Sequence, residues 1–288
     1  MGKIPPIDLI LALTVMLAAM LSMIAGRRGG RFRGLPGWAG YWFVFAGLLV
    51  ALSRLHRWVA FPLLGLSMFA AMRAFFFVAP VRPRDRNVVL ASYLAIPFAL
   101  YWAFKGSNEG FFATVPVALF LFIPVLLSLG AAEKGLLDSM GRTLLGVLFF
   151  VFCFAHLGLL VHQPRQGVLE LFGVLVVIAE LPQRLLWRSH GKPGRLRIVL
   201  GVLLSLVLAG ALGYWLGPWC DLGKQDAARA GLLVAIAVTL GARVSEAVRQ
   251  DLELTASASS LGRGAFLTRT VPAAYAAPVF FHYLNTFA

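Results

Sequence analysis

"FFATVPVALFLFIPVLLSL", residues 111–129, carries no charged side chain over its whole length. As an α-helix it would be about 28 Å long at 1.5 Å per residue. That matches a bilayer core of roughly 30 Å. The run therefore reads as a membrane-spanning helix. Working outward in both directions, runs of the same kind recur at short intervals along the 288 residues. The spacing predicts ten spans: Leu9–Ala25, Trp38–Ser53, Trp58–Ala79, Val88–Phe104, Phe111–Leu129, Thr143–Val161, Val168–Trp187, Ile198–Leu216, Arg229–Val248 and Val271–Phe287. With 60% hydrophobic and 13% charged residues, the composition is not that of a water-soluble domain. The fold class that follows is an all-α, polytopic helical bundle in a membrane, of about nine or ten helices.

The charges sit mostly between the spans. Placing the N-terminus outside puts 16 of the 26 Lys and Arg in inner loops and 7 in outer segments. This asymmetry favours N-terminus out and C-terminus out, with basic loops such as "RRGGRFRGLPG" facing the cytoplasm. The first run is expected to be retained rather than cleaved, because its basic cluster at Arg27, Arg28, Arg31 and Arg33 follows the apolar stretch. The net charge of +14 does not signal nucleic-acid binding, since short-loop cations set topology and meet anionic headgroups. Cys153 in a span and Cys220 in a loop suggest neither a disulfide framework nor a cysteine metal site. No internal repeat is evident. Organisation divides into spans over 1–167 and a C-terminal set over 168–288 that carries most of the candidate chemistry.

Ionisable groups inside spans are costly and mark candidate sites. Glu180 and Arg184, in "VVIAELPQRLLWRSHGKPGR", are four residues apart and share a helix side. Pro182 between them frees a backbone carbonyl. Arg243, Glu246 and Arg249, in "GARVSEAVRQDLEL", recur every three residues and can form an ion-pair stripe. In "LGRGAFLTR", Gly262 and Gly264 allow close backbone approach, and Arg263 and Arg269 can grip phosphate oxygens. Each place also has a plainer account: an interfacial ion pair, a self-solvating helix end, and a basic connector obeying charge topology. His156 reads as a helix–helix hydrogen-bond partner and Arg73 as a snorkelling or paired cation. Asp8, Trp38, Trp58 and Trp219 read as interface residues.

Taken in order, "VVIAELPQRLLWRSHGKPG", "SEAVRQD", "LGRGAFLTR" and "AYAAPVFFHYL" resemble the C-terminal signature of the phosphatidate cytidylyltransferase (CDP-diacylglycerol synthase) family. The resemblance spans Val174 to Phe287. Ser245 and Arg249 match the family's Ser and Arg in one register, and Asp251 matches an acid in the other. Arg269 keeps the family Arg, and Glu180 stands for its upstream Asp. Arg263 replaces the family His, Ala265 a Gly, and Thr268 and Val271 two acids. The resemblance implies transfer of a cytidylyl group from CTP to phosphatidate with release of pyrophosphate. Glu180 and Asp251 would hold Mg²⁺ and act in catalysis. Ser245, Arg249, Gly262, Arg263, Gly264 and Arg269 would bind substrate, and a homodimer is implied. The missing acids keep a second expectation open, a catalytically inactive homologue that binds lipid headgroups or a partner. Ten spans with intramembrane Arg73, His156 and Glu180 keep a third, a transporter or channel.

Overall fold

The computed structural model describes residues 6–27, 35–129, 135–187, 194–254 and 265–288. They form ten helical rods, one for each expected span. These are α1 (Pro6–Arg27), α2 (Leu35–Arg54), α3 (Arg57–Val78), α4 (Pro83–Lys105), α5 (Asn108–Ser128) and α6 (Leu136–Leu160). Then follow α7 (Val168–Trp187), α8 (Arg195–Leu216, continued by a 3₁₀ turn Gly217–Cys220), α9 (Lys224–Asp251) and α10 (Ala265–Phe287). Among the described residues, α3, α4, α5, α6, α8 and α9 are long and apolar enough to cross a membrane. The chain is an integral membrane protein of the all-α, polytopic class.

Two rods are not continuous α-helix. The expected fourth span breaks at Tyr93–Leu94, between helical stretches Arg86–Ser92 and Ala95–Lys105. Pro97 is the cause. It has no N–H to give to the carbonyl of Tyr93, and that carbonyl instead accepts from Ile96 N at 3.1 Å. α6 widens into a π-helical turn over Leu148–Cys153. At the α4–α5 corner, Gly106 sits at φ +66°. Ser107 Oγ then caps α5 by accepting from Gly110 N at 3.2 Å.

The helices group into two compact units, residues 56–162 and residues 1–55 with 163–288. The grouping cuts across the sequence halves 1–167 and 168–288, because α1 and α2 pack against α7. In the 56–162 unit the axis is α6, with 78% of its most apolar window buried. Phe111 and Phe152 stack 5.3 Å apart there, and both rings meet His156 edge-on. His156 Nδ1 lies 2.8 Å from Phe152 O of its own helix, so the expected interhelical bond is at least partly an intrahelical one.

In the other unit the axis is α7. Residues 171–177 are all buried, and α1, α2, α8, α9 and α10 surround it. α8 and α9 cross closely enough that a Cβ at Gly213 would overlap Ala227 O, and one at Gly231 would overlap Ala209 O. Small residues at such crossings let two backbones touch where lipid offers no hydrophobic drive to association.

Candidate functional site

α7 is buried over most of its length, so its polar residues need partners from the helices around it. Glu180 is 2% exposed. Its Oε2 accepts from the indole N–H of Trp38 at 2.5 Å and of Trp42 at 3.2 Å. Both donors come from α2, four residues apart, hence on one face. Arg184 Nε stands 3.5 Å from the same oxygen. The Arg184 guanidinium lies 6.0 Å from the Trp38 ring centroid and also donates to Thr268 O of α10. Glu180 Oε1 is buried and has no hydrogen-bond partner among the described residues.

A second guanidinium enters from α10. Arg269 interacts electrostatically with Arg184, Glu180 and Tyr41. It packs on the first turn of α2, where a Cβ on Gly37 would come within 2.6 Å of Arg269 Nη2. Gly37 therefore makes the room that Arg269 occupies. The Tyr41 hydroxyl lies beside Thr270 Oγ1 in the same buried layer, outside strict hydrogen-bond geometry. One helical turn from Glu180, Gln183 Nε2 donates to Thr239 Oγ1 of α9 at 2.7 Å. Ser205 of α8 reaches Ala179 O at 2.7 Å, on the turn that Pro182 disturbs.

Among the described residues this layer holds two guanidiniums and one carboxylate. The first turns of α2 and α10 and the last turns of α7 meet in this layer. The arrangement is suited to an anion with several oxygens, the geometry of phosphate.

Of the residues singled out from sequence, Glu180, Arg184 and Arg269 come together. Ser245 is buried and donates to Ala242 O of its own helix at 2.9 Å. Arg249 is paired with Glu246, with Nε to Oε2 at 2.9 Å, and also donates to Leu254 O. Asp251 is exposed at the last residue of α9 and makes none of the cluster's contacts among the described residues. Gly262, Arg263 and Gly264 lie outside the described residues. Val271, where the resembled family has an acid, is 1% exposed and packs its backbone against Gly241 of α9. A carboxylate there would be buried without a partner.

Mg²⁺ needs oxygen ligands in octahedral array, one or two of them carboxylates. Glu180 is the cluster's single carboxylate, its Oε2 is already engaged by two indoles and a guanidinium, and two cations flank it. Among the described residues no group of three or more His, Cys, Asp or Glu could hold a metal ion. These residues do not fit Mg²⁺.

Trp42, Tyr41 and Gly37 were not legible as site residues, and Trp38 read as an interface anchor. A signal was present in Trp38 and Trp42 at i, i+4. Two buried indoles on one face of an apolar helix require an acceptor opposite them. No protein-family model, curated protein or solved structure matches the chain.

Proposed function

We propose that the protein binds the phosphate of an anionic phospholipid headgroup at the Arg184–Arg269 pair. One observation carries this: among the described residues, guanidiniums from two helices gather at one buried carboxylate, Arg184 within 3.5 Å of it and Arg269 within its electrostatic reach. Glu180 orients Arg184 and keeps the pair from repelling each other apart. Trp38 and Trp42 hold Glu180, so the carboxylate cannot swing out to cancel an incoming anion. On this reading the cluster lies at the cytoplasmic face, where the basic loops 28–34 and 188–193 adjoin it in sequence, and the N-terminus is outside.

The test is lipid binding by the purified protein. Phosphatidate is expected to bind in preference to phosphatidylcholine. Arg184→Gln or Arg269→Gln should each weaken phosphatidate binding about tenfold or more, as loss of a charge-assisted hydrogen bond predicts. A metal chelator should change nothing. Equal binding of the two lipids, or variants equal to wild type, would end the proposal. The transferase expectation shares this binding step and adds CTP and Mg²⁺. Its own assay is pyrophosphate release from CTP and phosphatidate above the level of a Glu180→Ala variant. Release without that difference would mean another centre or contamination.

A further inference from the structure

A second polar cluster sits at the opposite end of α7. Glu170, in its first turn, is 0% exposed. Its Oε1 accepts from Ser53 Oγ of α2 and lies 3.8 Å from Arg54 Nη2. Arg54 Nη2 also donates to Asp8 Oδ1 of α1 at 3.0 Å. The Asp8 carboxylate is itself within hydrogen-bond reach of Glu170. The groups facing Glu170 are Asp8 from α1, Ser53 and Arg54 from α2, and the Cys220 thiol from the turn after α8, with Asp221 beside that thiol.

Among the described residues, two carboxylates thus share one guanidinium, the reverse of the balance at the other end of the helix. Glu170 Oε2 is buried with no hydrogen-bond partner among the described residues. The groups closest to the Glu170 carboxyl are Ser53, the backbone N–H of Glu170 itself and the second carboxylate, Asp8. Both acids lie in first turns, where helix dipoles favour negative charge. That effect is smaller than the cost of burying an unpaired ion. Two facing carboxylates with one counter-charge are completed by one further positive charge between them. Asp8 is 13% exposed and Arg54 37% exposed, so the pair is reachable from the surface on that side. Among the described residues no group of three or more His, Cys, Asp or Glu could hold a divalent ion, and Arg54 already occupies one side.

We propose that Asp8 and Glu170 together bind one small monovalent cation, a proton or a sodium ion, which ties α1 to α7. The site is independent of the arginine cluster and stands or falls separately from it.

The test uses the full-length protein in detergent, with sodium chloride compared against choline chloride, and infrared spectra taken at neutral pH. If sodium is the ligand, sodium chloride raises the unfolding temperature above the choline value, and Glu170→Gln abolishes the difference. If a proton is the ligand, sodium has no effect, and a neutral carboxylic-acid C=O band is present in wild type and lost in Glu170→Gln. Should Glu170→Gln fail to fold, Asp8→Asn at the partly exposed rim makes the same comparison. A wild-type protein with neither a sodium response nor a neutral carboxyl band removed by these variants overturns the proposal.

Discussion

At Glu180 one oxygen gathers two indole N–H groups and a guanidinium, while the other has none. A buried acid held this way is sensitive to which partner is removed. Deleting the carboxylate leaves Arg184 and Arg269 beside each other without it. Glu180→Ala should therefore cost roughly 3–5 kcal/mol, the range for breaking a buried ion pair by removing one side. Trp38→Phe keeps the ring but removes the shorter hydrogen bond, and should cost about 1.5–3 kcal/mol. Trp42→Phe, with its bond at 3.2 Å, should cost less. Chemical unfolding of the three variants in one detergent gives the order; Trp42→Phe as the worst would contradict the geometry. The acid and Arg184 were legible in sequence because i, i+4 charge pairs within a span stand out. Gly37 and Tyr41 were not, because their roles depend on which helix α2 packs against.

Among elements, α8 and α9 show what small residues do in a membrane. Gly213 and Gly231 meet opposing carbonyls, so any side chain there forces the helices apart. Gly231→Leu should lower the unfolding temperature markedly, while Leu232→Ala, at a residue 40% exposed one position on, should change it little. Equal effects would deny the close crossing. The corner after α6 offers a titration. His162 lies under Gly106, near the backbone of Ala103 and Phe104, and burial followed by the Arg57 charge pulls its pKa below the ordinary histidine value. The neutral ring is the one the fold accepts. Its stabilising contribution is present above the ordinary pKa of about 6.5 and is lost as pH falls through the lower folded value. Thermal unfolding followed from pH 7.5 down to pH 5 should fall less steeply in His162→Gln than in wild type. Identical slopes would place the acid sensitivity elsewhere. The break within α4 was written in the sequence as Pro97. The π-turn of α6 had no such marker in "LFFVFC".

For the molecule as a whole, the span positions were readable and their order of burial was not. α5 and α6 are almost equally apolar, yet 28% of the one window and 78% of the other is buried. Lipid tails are as apolar as a protein core, so hydropathy registers entry into the membrane and not the choice between protein and lipid as neighbour. The same blindness hid the role of α7, whose burial over residues 171–177 makes it an axis. Packing, unlike hydropathy, distinguishes the two environments. Phe122 of α5 is 65% exposed, whereas Phe150 of α6 is 0% exposed. Truncation at Phe122 leaves a gap that a lipid chain fills. Truncation at Phe150 leaves a cavity among Phe75, Phe149 and Phe154, which a fixed backbone cannot close. Phe150→Ala should cost about 3–5 kcal/mol and Phe122→Ala well under 1 kcal/mol, measured as denaturant unfolding in the same micelle. If the two losses are alike, α6 is not the buried axis of its unit, and the division into inner and outer helices must be redrawn.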